Sequence, residues 1–124
     1  MKLAKFLNEV YQKSTNEELI EKIENAYGCK LNSQAKQIFS FSERQMFFEE
    51  KIFLKLLSID EILDASVDMN VDFKQFRIIP IIDTGDNNYI AYCVDTETWC
   101  RFNIVNEIVF DKKNSFINLL KEEL

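Results

Sequence analysis

The sequence predicts an α+β domain in which an antiparallel or mixed sheet of about five to six strands carries helices packed around it. Three observations predict it: a capped amphipathic stripe in the first quarter, four closely spaced extended runs in the second half, and no alternating strand-helix series. With 124 residues, and with only two Gly and one Pro to form a linker, residues 1–124 read as one domain with a single core. Eleven Phe, four Tyr and one Trp predict that this core is aromatic-rich.

Leu3, Phe6, Leu7, Val10 and Tyr11 recur at helical spacing, so the chain opens with an amphipathic helix ending near Lys13. Thr15 with Glu18 has the form of a capping box for a second helix, whose stripe is Leu19, Ile20, Ile23, Ala26 and Tyr27 and whose stop is Gly28. Asn32 or Ser33 caps a short third helix carrying Ala35, Ile38 and Phe39. Phe47 to Leu57 reads as one or two strands, with Ile52, Leu54 and Leu56 on one face and Phe53 and Leu57 on the other. Ser58 and Glu61 form a second capping box, for a helix that ends near Met69 and Asn70 and turns Ile59, Ile62, Leu63 and Val67 inward.

The extended runs Arg77 to Thr84, Asn88 to Asp95, Trp99 to Val105 and Glu107 to Asp111 are separated by turn residues and predict an antiparallel meander. Pro80 has no N–H to give to a ladder, so its strand is at an edge or bulged there. Asn114 or Ser115 caps a closing helix that packs Phe116, Ile117, Leu120 and Leu124 on the sheet.

Composition excludes several function classes. No stretch approaches the roughly 20 consecutive apolar residues that span a bilayer, and the N-terminal segment lacks the apolar run of a secretory leader. A soluble, cytoplasmic protein is expected. The chain has no histidine, and so lacks the commonest general base and metal ligand near neutral pH. It has no phosphate-binding glycine motif either. Cys29, Cys93 and Cys100 contain no close C-x-x-C pair; Cys93 and Cys100 could form a redox pair across the meander, but the reading favoured for them is buried, reduced thiols. Asp83, Asp86 and Asp95 are the remaining chemical candidates, as a hard-cation site or an acid/base pair, against the simpler reading of solvated turn carboxylates. The expectation is no enzyme, no cofactor and no metal.

Charge placement is the positive signal. Between Leu56 and Cys100 nine carboxylates face only Lys74 and Arg77, a net of −7, in a chain whose formal charge is −6. Asp60, Asp64 and Asp68 stand at i, i+4 and i+8 of the predicted helix, where like charges repel. A ridge kept at that cost suits an electropositive partner, although a solubilising surface is the commoner reason for one, and the same charge disfavours direct nucleic-acid binding.

The run from Phe76 to Asp95, with Ile79-Pro80-Ile81-Ile82, the turn at Gly85 and the strand closing on Asp95, resembles the central signature of the SUKH superfamily, named for its yeast cell-wall-assembly regulator. The segment Ile23 to Asn32 and the closing Ser115-Phe116 helix are similar to that family's flanking segments, with Asn32 where Pro is usual. The resemblance implies an α+β fold without enzymatic activity. For most bacterial members it implies an immunity protein of a toxin-antitoxin pair, which binds and neutralises a cognate polymorphic toxin, often a nuclease.

The leading expectation is therefore an immunity protein whose acidic surface, Asp60, Asp64, Asp68, Asp83, Asp86 and Asp95, docks on a basic toxin. Trp99 and Phe47 are candidate anchors, weighed against a core placement for each. The alternative is a cytoplasmic regulatory interaction domain, or a small-ligand binder using an aromatic groove between helices and sheet. Oligomeric state is not legible in the sequence.

Overall fold

The computed structural model describes residues 1–123, so Leu124 of the predicted closing helix lies outside the described residues. Helices α1 (Leu3–Glu9), α2 (Glu17–Tyr27) and α3 (Ser33–Phe39) precede the short strands β1 (Met46–Phe47) and β2 (Lys55–Leu56). Helices α4 (Ile59–Leu63), α5 (Ala65–Met69) and α6 (Phe73–Phe76) follow. Then come β3 (Ile78–Asp83), β4 (Asn88–Cys93), β5 (Thr98–Asn103), β6 (Ile108–Lys113) and α7 (Phe116–Lys121). The six strands form one antiparallel sheet in sequential order, β1 to β6. This is the predicted α+β architecture, and the meander is where the extended runs placed it.

The three connections between β3 and β6 are each four residues long, and each ends on a residue in the left-handed region: Asn87 (φ 66), Glu97 (φ 54) and Glu107 (φ 54). That conformation matches the twist of the outgoing strand at a cost of roughly 1–2 kcal/mol for a non-glycine residue. Pro80 lies in an interior strand, and the register shifts between Pro80 and Ile82, so the missing N–H is accommodated by a bulge. A second bulge falls in β6, where Asp111 takes φ 53 and interrupts the edge strand's pairing with β5.

Strand alternation gives the sheet two covered faces. On one, Tyr92 and Trp99 are register partners that meet Phe39 of α3 and Phe116 of α7, and Phe6 of α1 closes the cluster. On the other, Phe102 packs against Phe73 and Phe76 of α6, with ring centroids 5.6 and 5.1 Å away. Helix α6 is a single turn capped by Asp72, with no stripe long enough to show a period, so the sequence predicts no helix there.

Four details differ from expectation. The cap of α2 is Asn16, whose side chain accepts the Leu19 N–H, and not Thr15. The predicted helix after Ser58 breaks at Asp64 (φ −94, ψ 3) into α4 and α5, and the break leaves Val67 84% exposed instead of inward. Between β1 and β2 the chain turns, with the Leu54 N–H bonded to the Lys51 carbonyl, so Ile52 and Phe53 stand exposed at a loop tip while Phe48 and Leu54 are buried at its base. In α7, Leu119 is buried beside Phe116 and Leu120, and Ile117 is only half-buried.

Candidate protein-binding surface

The capping box at Ser58 is formed: its hydroxyl accepts the Glu61 N–H, and the Glu61 carboxylate accepts the Ser58 N–H. It starts α4 beside β2, where Lys55 Nζ lies 2.7 Å from Glu61 Oε2. From there Asp60, Asp64 and Asp68 are all exposed, and the backbone bonds Asp64 N–H to Asp60 O and Asp68 N–H to Asp64 O keep them one turn apart across the break. None of the three forms an ion pair among the described residues. The exposed Val67 sits within this ridge.

The β3–β4 turn brings Asp83 and Asp86 together but not Asp95. Asp86 receives the Thr84 hydroxyl and the Asn88 N–H, and although partial burial acts to raise its pKa, these bonds outweigh it and hold the carboxyl below its usual range. Asp86 is thereby committed to the turn. Asp83 accepts the Gly85 N–H at 2.8 Å, and its second oxygen lies 3.4 Å from the Tyr89 hydroxyl. Asp95 follows the other end of β4, six residues or roughly 20 Å away, and pairs with Arg77 at 3.1 Å. The three aspartates therefore form no shared cation or acid/base site. Among the described residues no group of three or more His, Cys, Asp or Glu side chains is placed to hold a metal ion.

Trp99 is 2% exposed, stacked 6.1 Å from Phe39, and is a core residue with no surface to offer a partner. Phe47 is 51% exposed and remains available. The groove expected between helices and sheet is filled by the ring cluster of Phe6, Phe39, Tyr92, Trp99 and Phe116, all buried. Cys93 and Cys100 lie diagonally on one sheet face, both buried and both free thiols.

What sequence reading missed is a cleft of about 300 Å³ between the β1–β2 loop and the β3–β4 turn, lined by Phe47, Phe53, Lys55, Asp83, Asn87 and Tyr89. Phe53 is 65% exposed and Ile52, next to it, 78%. The loop rests on Gly85, where any Cβ would collide with that of Phe53 at a backbone φ of +84. Gly85 is thus required for a close approach as well as for a turn. The signal in the sequence is Glu49-Glu50-Lys51 between Phe47-Phe48 and Ile52-Phe53, a charged triplet that breaks strand periodicity.

The sequence profile of the SMI1 / KNR4 family (SUKH-1) matches residues 14–121. The chain belongs to that family. The SUKH-1 match runs from just before α2 through α7 and includes all six strands, the acidic ridge and the cleft. No curated protein and no solved structure matches the chain. Among the described residues no helix is long and apolar enough to cross a membrane.

Proposed function

We propose that this SUKH-1 chain is a non-enzymatic immunity protein that binds and neutralises a cationic nuclease toxin. The observation that carries the reading is the unpaired ridge of Asp60, Asp64 and Asp68, which begins beside the cleft containing Asp83 and is exposed along its length. A nuclease must be cationic where it grips phosphates, so an acidic inhibitor gains electrostatic steering and competes with the substrate's charge. Family membership supports a protein partner in general, and the absence of histidine from the sequence supports a role without general-base catalysis.

The test is co-expression with the product of the neighbouring open reading frame. The expected result is rescue of growth from that product together with its recovery in a pull-down. Recovery without any toxicity to rescue would point to a regulatory interaction domain, and neither rescue nor recovery from a toxic neighbour would overturn the proposal.

A further inference from the structure

The cleft at the β3–β4 turn holds a carboxylate that forms no ion pair among the described residues, although its register partner across the β2–β3 pairing is Lys55. Asp83 is half-buried, and its bonds to the Gly85 N–H and Tyr89 hydroxyl are dipolar. No Lys or Arg among the described residues lies within ion-pair distance of it. An ionised carboxylate has room for more donors than these two. Lys55 lines the same cleft, but its ammonium is engaged by Glu61 at 2.7 Å. The charged lining residues are Lys55 and Asp83 alone, and because Glu61 beside the cleft neutralises Lys55, the charge of Asp83 is left over. Burial is the first cause that pushes the pKa of the Tyr89 phenol up to about 12, and the neighbouring charges of Asp83 and Glu61 add to it.

The walls of the cleft are suited to a flat cation. Phe47 and Phe53 each expose half or more of their surface, and Lys55 Nζ already sits 5.8 Å from the Phe47 ring centroid. A volume of about 300 Å³ is at the small end of ligand sites, sized for a side chain. Guanidinium is planar, weakly hydrated and able to fork onto a carboxylate while stacking on a ring, which an ammonium cannot do.

We infer that this cleft is an arginine-binding pocket, taking one arginine side chain of a protein partner with its guanidinium on Asp83 and its plane against Phe53, since the Phe47 ring already carries Lys55. The assignment deepens the protein-binding reading above and rests on it only for the source of the arginine. The acidic ridge steers a basic partner, and the pocket fixes where one of its side chains lands.

The experiment is a heteronuclear NMR titration of the full chain with blocked glycyl-arginyl-glycine and with the same peptide carrying citrulline, its uncharged isostere. The arginine peptide is expected to give saturable shifts at Phe53, Gly85 and Tyr89 with a millimolar dissociation constant, and the citrulline peptide none. Asp83→Asn should weaken binding about tenfold, because a charge-assisted fork becomes a neutral contact. Phe53→Ala, at an exposed position where folding is not at stake, should weaken it several-fold, and Asp68→Asn should change it little. Equal shifts from the two peptides, wild-type binding by Asp83→Asn, or shifts confined to α4 and α5 would overturn the pocket. Arginine binding without growth protection would sink the immunity role alone, and protection without arginine binding would sink the pocket alone.

Discussion

At the scale of single residues, the same chemistry has opposite roles at different positions. Trp99 and Phe53 are both large aromatics beside turns, yet Trp99 lies within 5.0 Å of Tyr92 and 4.8 Å of Phe116, whereas Phe53 stands in solvent. Because Trp99 is the chain's single tryptophan, its emission reports the core directly. Blue-shifted fluorescence that does not move when a partner is added is expected; a red-shifted band that moves on complex formation would place the ring at the surface. Arg101 shows the complementary case of a charge held inside. Its guanidinium meets Asp111 at 3.2 Å, Glu123 at 2.7 Å and the Leu119 carbonyl at 3.1 Å, tying the last helix to the sheet. Burial acts to lower its pKa, but Glu123 and the other carboxylates outweigh this and keep it above its ordinary value.

At the scale of elements, the start of α4 links stability to pH. Burial tends to raise the Glu61 pKa, but the hydrogen bonds from the Lys55 ammonium and the Ser58 N–H outweigh it and hold the carboxyl below its ordinary range. The unfolded chain takes up this proton at a higher pH, near 4.3, so the stabilisation is present above that value and lost as pH falls through the folded one. The melting temperature should therefore drop between about pH 5 and pH 3, and Glu61→Gln should flatten that drop while costing about 1 kcal/mol at neutral pH, a modest figure because the side chain is still partly open to solvent. A Glu61→Gln melt that tracks the wild-type curve at every pH would refute this account. Elements with local signals were legible in the sequence: the Ser58 box, the Gly28 stop at φ 65 and the four meander strands are each specified within a few residues. The β1–β2 loop was not. Whether Phe48 or Phe53 is buried is tied to the contact with Gly85 in the β3–β4 turn, outside any window around the loop, and the Glu49-Glu50-Lys51 charges mark a break there without saying which ring turns inward. The grouping of Asp83, Asp86 and Asp95 failed for the related reason that proximity follows strand length: Asp86 and Asp95 flank β4 at its opposite ends.

At the scale of the whole molecule, charge and topology set how the protein meets a partner and how it reaches its fold. Replacing Asp64 and Asp68 by Asn should slow association with a basic partner and flatten its salt dependence, since screening acts over about 10 Å at moderate ionic strength. Stability should hold or rise slightly, because the substitution relieves repulsion one turn apart. Unchanged association at low salt would assign the ridge to solubility alone. The sequential strand order has a separate, kinetic consequence. Every strand in the sheet pairs with its immediate neighbour in the chain, and from β3 onward each pairing closes only four connecting residues. The loop-closure entropy of each step is small, so the meander can zip hairpin by hairpin without waiting for a distant segment to arrive. Stopped-flow refolding after an unfolding pulse too brief for Pro80 to isomerise should then be a single exponential in the millisecond range, and a time constant of seconds in that experiment would mean that docking of the outer helices, not strand pairing, is the slow event.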